Sequence, residues 1–296
     1  MMTYVNPHVG DIKGLKTDPA PKRYLFDELV ANGFDVKNKD GNTQLKYQNA
    51  AMFDLTNPKA REWVKRLIKE NVLLGGKVSG YMCDFGEALE LDAKLYNGKD
   101  AAAYHNKYPV EWAKINAEAV HELGMEDEVV YFMRSGFTLA PQYTRLYWLG
   151  DQLQTWDEYG GLKSVVFASM IGGLSGISLT HPDIAFTAAS RTHDGSNAEK
   201  AWQFYSDDET LTLFARYAKI YVAWGFYREQ LLSEVVDKGY PLIRHLYLHY
   251  PDDAKARGLK YQFLVGTELL VAPVVDEKKV DVSEYLPKGK WVHLER

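Results

Sequence analysis

The chain has 296 residues, which is enough for one (β/α) barrel or for part of a barrel and a small domain. Its 46% apolar and 25% charged residues are ordinary for a globular protein, and its net charge of -5 argues against a nucleic-acid or anionic-membrane surface. No apolar run approaches the ~20 residues of a membrane span, and the single cysteine, Cys83, excludes an internal disulfide framework.

Short apolar segments alternate with longer helical ones along the first half of the chain. Strands are predicted at residues 3–6, where Pro7 stops the run, and at residues 78–83, which are apolar and β-prone. Apolar residues at helical spacing predict three helices, at residues 21–34, 58–74 and 102–124. Asn57 marks the start of the second helix, because asparagine caps a helix and the following proline fits its first turn.

The second half continues this alternation and then changes character. Strands are predicted at residues 128–133, 146–149 and 176–183, with an apolar helix at 161–173. The acids of residues 206–209 predict a helix that runs to about residue 236. Its expected inward-facing side chains are Phe214, Tyr217, Ile220, Tyr221 and Trp224. Four later strands are predicted at residues 261–266, 269–274, 280–285 and 291–293. The alternation of strands and helices predicts an α/β fold built on a parallel sheet.

Polar side chains follow three successive strands at the point where each strand ends. Asp84 follows residues 78–83, Arg134 follows residues 128–133, and Asp151 follows residues 146–149. The carboxyl ends of the strands carry the chemistry in (β/α) barrels, so these residues are candidates for a common active site. The alternatives are that the two acids are solvated loop residues and that Arg134 forms a structural ion pair.

The segments around these residues, 81–87, 132–137 and 148–152 in that order, resemble the signature elements of glycoside hydrolase family 31. Within it, the chain is most similar to the bacterial branch of sulfoquinovosidases and α-glucosidase-like enzymes. The resemblance implies a retaining α-glycoside hydrolase with Asp84 as nucleophile and Asp151 as acid/base. We expect Asp151 to be buried beside Trp148. Further substrate-binding residues are implied or proposed at five positions: Arg134, His193, Trp148, Glu87 and Asp183.

The resemblance also predicts the domain organisation. The fold expected is an incomplete TIM-type (β/α) barrel comprising strands 3–8 in residues 1–250, followed by part of a small β domain in residues 251–296. Only residues 184–190 separate Asp183 from the strand end at Arg191, whereas a parallel crossover needs about a dozen residues. Helix 7 of the barrel is therefore predicted to be missing. Relatives carry further segments before residue 1, so the chain is expected to be a truncated member.

No cofactor or metal site is predicted, because the pairs His181 with Asp183 and His245 with His249 lack a convincing third ligand. The expected partner is a carbohydrate substrate, with no nucleic acid and no membrane. Open sheet edges at residues 3–6 and before Arg191 predict possible self-association. The cytoplasm is the expected location. Two alternative functions stay open: a catalytically incompetent fragment, and a non-catalytic carbohydrate-binding protein.

Overall fold

A computed structural model describes residues 1–16, 21, 23–47, 49–153, 155–182 and 204–294. The chain divides into two compact units, Met1–Arg145 and Leu146–Arg296. Asp183, Arg191, His193 and the segment where helix 7 is predicted to be missing lie outside the described residues.

The first unit contains six described strands. In chain order they are β1 (Met2–Val5), β2 (His8–Gly10), β3 (Leu45–Lys46), β4 (Ala50–Met52), β5 (Gly80–Cys83) and β6 (Val130–Met133). Strand β5 lies between β1 and β6 and pairs with both in parallel. All four of its residues are buried, as expected of an apolar central strand in a parallel sheet. Strands β2, β4 and β3 form a small antiparallel sheet.

Four α-helices accompany these strands: α1 (Leu25–Ala31), α2 (Pro58–Leu67), α3 (Ala101–Tyr104) and α4 (Tyr108–His121). Helix α2 begins where predicted, because the Asn57 side chain accepts a hydrogen bond from the Lys59 backbone N–H. A π-helical segment, Ile68–Leu74, continues α2 up to Gly75.

Two predicted helices of the first unit differ from the observed ones. Helix α1 begins only at Leu25 rather than at residue 21, and Gly33, with a φ of 63°, follows its end. The helix predicted at residues 102–124 is interrupted by a 3₁₀ turn at His105–Lys107, after which Pro109 occupies the first turn of α4. Proline fits there because it has no N–H to place in the preceding turn.

Helices α2 and α4 are joined by ion pairs as well as by apolar packing. Arg61 pairs with Glu111 at 2.6 Å, and Lys65 pairs with Glu122 at 2.7 Å. Beneath them, the ring of Phe53 contacts Trp63 and lies near Trp112. These contacts hold the helical layer of the first unit together.

The second unit contains two parallel strands and a separate antiparallel sheet. Its strands are β7 (Leu146–Trp148), β8 (Leu179–His181), β9 (Ile243–His245), β10 (Phe263–Val265) and β11 (Leu269–Val271). Strands β7 and β8 are parallel, whereas β10 pairs antiparallel with both β9 and β11. The helices are α5 (Leu162–Leu174), α6 (Asp208–Ala223), α7 (Gly225–Lys238) and α8 (Ala254–Arg257). Helix α5 lies against the small sheet through Val166 and Met170.

Three predictions for the second unit are wrong. The helix expected to run to residue 236 is two helices, because Trp224 leaves the helical conformation before Gly225, a poor helix former. Tyr217 and Tyr221 are exposed rather than inward-facing. Residues 280–285 and 291–293 lie outside any strand, so their apolar side chains do not reflect sheet pairing.

Among the described strands, β1 pairs on one side only, with β5. Its Met2 side chain is 61% exposed, in agreement with the expectation of a wet edge there. The total of six barrel strands stays a prediction, as does the domain boundary after residue 250. A search of the described helices finds none with the length and apolar character required to span a membrane.

Candidate active site

The pairing of β5 with β6 brings Asp84 and Arg134 to the same edge of the sheet. Cys83 is opposite Met133 in the register, so the next residue of each strand emerges beside the other. Asp84 also continues the pairing with β1, since its backbone N–H donates to the Val5 carbonyl at 2.9 Å. The Asp84 residue is only 6% exposed. A carboxylate so nearly buried needs compensating partners.

Arg134 is the charged partner of Asp84. Its Nε lies 3.3 Å from Asp84 Oδ1 and donates a hydrogen bond of 3.0 Å to Glu87 Oε1. Its Nη2 also donates to Glu87, and the guanidinium lies 4.0 Å from the centre of the Phe85 ring. The cation is thus held by two carboxylates and one aromatic face, an arrangement for which the planar guanidinium is suited.

A tight turn after Asp84 returns Glu87 to Arg134. Phe85 and Gly86 have φ values of 56° and 110°, and the Ser135 hydroxyl donates to the Phe85 carbonyl at 2.7 Å. A Cβ at Gly86 would lie 2.6 Å from Ser135 Oγ. Glycine is therefore required at residue 86 by both its φ and the close approach of Ser135.

Tyr4 is a member of this cluster that the sequence analysis missed. Its hydroxyl donates a hydrogen bond of 2.6 Å to Asp84 Oδ2. The parallel register sets Tyr4 opposite Met82, two residues before Asp84, so all three side chains share one face of the sheet. The only sequence signal was the alternation along β1, which carries no information about the strand it pairs with.

The second carboxylate oxygen of Asp84, Oδ1, is not fixed by a hydrogen bond in the same way. Oδ1 is buried and accepts no hydrogen bond from the described residues, although Arg134 Nε is 3.3 Å away. The carboxylate therefore has one oxygen fixed by Tyr4 and one oxygen with an available lone pair beside a cation. Such a group is suited to nucleophilic attack on an electrophilic carbon.

Aromatic side chains pack against Phe85 in the turn that follows Asp84. The His8 ring contacts both Tyr47 and Phe85 edge-on, at 5.3 Å and 5.6 Å between ring centres. Burial, with a smaller contribution from the Lys46 cation, lowers the pKa of His8 to about 4. Neither of its ring nitrogens has a hydrogen-bond partner among the described residues. His8 is therefore a neutral packing residue behind Phe85 near neutral pH.

Asp151, in the second unit, differs from the expectation of burial. It follows β7 after Gly150, which has a φ of 88°, and its side chain is exposed. Gln152 turns inward instead, and its Nε2 donates to the Leu149 carbonyl at 2.5 Å. Trp148 is only 3% exposed. The glycine turn thus leaves the tryptophan and the glutamine inside and the carboxylate outside.

The loop after Asp151 is closed by its own hydrogen bonds. Leu153 N–H donates to the Gly160 carbonyl at 2.7 Å, and Asp157 accepts from the backbone N–H groups of Tyr159 and Gly160. The Thr155 hydroxyl and these backbone donors lower the pKa of Asp157 to about 2. These hydrogen bonds link the described residues of the segment that leads into α5.

The predicted site residues are distributed as follows. Asp84, Glu87 and Arg134 lie together in the first unit, Trp148 and Asp151 lie close in sequence in the second, and the two others are outside the described residues. The expected separation of about 5–7 Å between Asp84 and Asp151 stays a prediction.

Cys83 precedes Asp84 in the sequence but is not part of the reactive cluster. Burial raises the pKa of the Cys83 thiol, which lies inside β5, so this residue packs rather than reacts. Within the described ranges, no group of three His, Cys, Asp or Glu side chains is arranged to hold a metal ion. His245 instead hydrogen-bonds the Leu259 carbonyl and the Tyr247 N–H.

Comparison with known families covers nearly the whole chain. The model of the glycosyl hydrolases family 31 TIM-barrel domain matches residues 1–230. The model of the glycosyl hydrolase family 31 C-terminal domain matches residues 239–296. These matches confirm the predicted α/β class, with part of a TIM-type barrel followed by part of a small β domain.

Individual relatives agree with the family models. The chain is 37% identical to the sulfoquinovosidase of Escherichia coli, over 99% of this chain and 45% of that protein. It is 35% identical to the sulfoquinovosidase of Agrobacterium fabrum, over 91% of this chain and 45% of that protein. A solved structure of a sulfoquinovosidase from E. rectale with an aza-sugar inhibitor superposes with a TM-score of 0.85. That match has 34% identity and covers 97% of this chain and 45% of the other. The chain thus spans about half the length of these relatives.

Proposed function

The chain belongs to glycoside hydrolase family 31, and from this premise we propose that it carries the catalytic pair of a retaining α-glycoside hydrolase. The observation that carries the proposal is the state of Asp84. One oxygen accepts a hydrogen bond from Tyr4 at 2.6 Å, while the other, next to Arg134, accepts none from the described residues. A buried carboxylate oxygen with an available lone pair needs a functional explanation, and nucleophilic attack supplies one.

The proposed reaction has two displacements. In the first, Asp84 Oδ1 forms a bond to the anomeric carbon while the bond to the leaving oxygen breaks, and Asp151 gives that oxygen its proton. In the second, Asp151 takes a proton from water, whose oxygen bonds to the anomeric carbon as Asp84 is released. Two inversions at one carbon give net retention of configuration.

The exposure of Asp151 fits its proposed role. In the first step Asp151 protonates the leaving oxygen, and in the second it takes a proton from water. The substrate and the water molecule must both reach the carboxyl group from solvent. Its exposed position after Gly150 permits that access. Trp148 is buried, so we propose that it contributes to substrate binding by supporting the strand end rather than by presenting an open aromatic face.

The remaining site residues receive supporting roles in this proposal. Arg134 balances the charge of Asp84, and Glu87 holds the guanidinium in place through its hydrogen bonds. His193 and Asp183 are proposed to bind sugar hydroxyls. Their side chains supply the polar groups that such binding requires.

The substrate class proposed is an α-glucoside or a sulfoquinovoside-type α-glycoside. Similarity to two sulfoquinovosidases at 35–37% identity supports the second choice. The carbohydrate is the expected partner, and the cytoplasm stays the expected location. Because the chain spans about 45% of those relatives, activity of the chain by itself is part of the proposal.

The proposal is tested by turnover of aryl α-glycosides by the purified chain and its variants. Asp84→Ala should abolish hydrolysis of every substrate. Asp151→Ala should spare only the first step for aglycones that leave without a proton, so dinitrophenol should appear in a burst followed by slow turnover. With poor leaving groups the first step should also slow, by about a hundredfold or more. Asp127→Asn and Glu158→Gln are matched controls, because both residues are exposed loop acids of the same two units. An Asp84→Ala variant with unchanged activity contradicts the proposal.

Two other functions have distinct signatures in the same preparation. A carbohydrate-binding protein would show a higher melting temperature with sugars and no turnover. A catalytically incompetent fragment would show neither effect. The buried carboxylate beside Arg134 favours the catalytic proposal over a carbohydrate-binding protein, since burial of a charge costs free energy and such groups cluster at functional sites.

A further inference from the structure

Tyr4 reaches Asp84 because of the strand register. In the parallel pair of β1 and β5, Tyr4 is opposite Met82, and side chains two residues apart on a strand point to the same face. Asp84 therefore lies on the face of Tyr4 and one step further along the sheet. The length of the tyrosine ring spans this step and brings its hydroxyl to 2.6 Å from Oδ2.

A second hydrogen bond fixes the direction of the first. Asn6 Nδ2 donates to the Tyr4 hydroxyl oxygen at 3.3 Å. An ionised carboxylate only accepts hydrogen bonds, so the proton of the Tyr4 hydroxyl points at Asp84. Asn6 is itself held, because its Oδ1 accepts from the His8 backbone N–H at 2.9 Å. The chain of donors runs from Asn6 through Tyr4 to the carboxylate.

Tyr4 also stays a donor over the whole working range of pH. Burial, followed by the hydrogen bond to Asp84, raises the pKa of its phenol above the usual value. A phenolate, which would repel the carboxylate, does not form near neutral pH. The Tyr4 phenol that donates to Oδ2 therefore stays neutral and keeps its orientation near neutral pH.

We infer that Tyr4 is a positioning residue for the nucleophile: it holds Oδ2 of Asp84 and so selects Oδ1 as the oxygen that attacks. The inference rests on the proposed function. On this inference, β1 does more than pair with β5, because it also supplies the side chain that orients the nucleophile. Tyr4 acts through Asp84, and a loss of its hydroxyl is expected to slow bond formation rather than to weaken sugar binding.

The test measures covalent labelling of Asp84 by a 5-fluoro-α-glycosyl fluoride, a reagent whose glycosyl–enzyme adduct breaks down slowly. In Tyr4→Phe, the labelling rate at saturating reagent should fall about tenfold or more, as expected for losing one hydrogen bond to a charged group. The half-saturating reagent concentration should change by less than about twofold. Tyr24→Phe is the control, because Tyr24 is a similarly exposed tyrosine of the same unit.

Two results overturn the inference while leaving the proposed function intact. One is an unchanged labelling rate in Tyr4→Phe. The other is an unchanged saturated rate with a raised half-saturating concentration, which would make Tyr4 a sugar contact. A wild-type chain that is not labelled contradicts the proposed function instead.

A separate measurement decides on the contact without requiring activity. In protein with ¹³C at the tyrosine ζ carbons, the Tyr4 signal is assigned from Tyr4→Phe and followed as the pH is raised from about 10.5. In the wild type the signal should still be that of a phenol at the start of this range. In Asp84→Asn the pH at which Tyr4 ionises should be lower than in the wild type, because burial still raises the pKa of Tyr4 but the hydrogen bond to the carboxylate no longer does. An equal ionisation pH for Tyr4 in both proteins overturns the inference.

Discussion

The Arg134 guanidinium lies 3.3 Å from Asp84 Oδ1, yet the acid that accepts its hydrogen bonds there is Glu87. Asp84 thus receives the field of the cation while Oδ1 keeps its lone pair. A direct hydrogen bond from Arg134 would reduce the capacity of this oxygen to attack. Glu87, three residues beyond the nucleophile, is what directs the guanidinium away from it.

Replacement of Arg134 should leave two neighbouring carboxylates without their shared cation. Arg134→Gln should destabilise the chain by about 1–2 kcal/mol, a value reduced by the partial exposure of Glu87. It should also slow labelling of Asp84 by at least about tenfold. Urea denaturation measures the first effect, and Arg66→Gln, at an exposed arginine of α2, is the control.

A second substitution separates charge repulsion from loss of packing. Adding Glu87→Gln to Arg134→Gln should recover part of the lost stability, since only one of the two acids then stays charged. No recovery would show that the guanidinium acts through its packing on Phe85 at 4.0 Å rather than through its charge.

Gly86 should not tolerate a side chain. Gly86→Ala requires a φ near 110° and places a Cβ 2.6 Å from Ser135 Oγ, so a loss of about 3 kcal/mol or more is expected. Gly98→Ala is the control for φ alone, because Gly98 has a φ of 70° and open space around it. It should cost about 1 kcal/mol. Equal costs in urea denaturation would contradict the steric account.

Stability should fall on mild acidification because of His8. Its pKa is lowered from 6.5 to about 4 in the folded chain, so the unfolded chain binds the proton first as the pH decreases. The contribution of His8 is fully present above pH 6.5 and is lost as the pH falls toward 4. The loss is at most about 3 kcal/mol.

The pH dependence is checked with His8→Phe, which keeps an aromatic ring between Tyr47 and Phe85. Urea denaturation between about pH 7 and pH 4 should show a smaller slope in this variant than in the wild type. His293→Phe, at an exposed histidine, should retain the wild-type slope. The same slope in all three proteins would mean that His8 is not the group responsible.

Among the described strands β1 is paired on one side only, and this leads to a prediction about association. Met2 on this strand is 61% exposed, and unpaired strand edges favour contact between copies. Met2→Lys should reduce any concentration-dependent association seen by size-exclusion chromatography. Leu15→Lys, at an exposed apolar residue outside the strands, should not. A wild-type chain that elutes as a monomer at every concentration contradicts this prediction.

The sequence predicted those parts of the fold that depend on local signals. Asn57 as a cap, the apolar run before Asp84 and helix α5 needed no information about distant residues. The break at Trp224 was missed because the apolar pattern continues across it. The segments at residues 280–285 and 291–293 have strand-like composition, but a strand also requires a partner.

For the site too, the residues that follow local signals were predicted, and those that depend on distant contacts were not. Asp84 and Arg134 follow strand-like runs, so their common edge could be inferred from the alternation of strands and helices. Tyr4 could not be inferred in this way, since its contact with Asp84 depends on the register of β1 against β5. The exposure of Asp151 depends on the turn at Gly150, whose φ of 88° is a property of the folded chain.

The most direct test of the account is the identity of the residue that a 5-fluoro-α-glycosyl fluoride labels. Peptide mapping by mass spectrometry should find one glycosyl adduct, on the peptide that contains Asp84. The adduct should be absent from Asp84→Asn and present in Asp127→Asn, the exposed acid at the opposite end of β6. An adduct on any other carboxylate, or a wild-type chain that forms none, would contradict the assignment of Asp84 as the nucleophile.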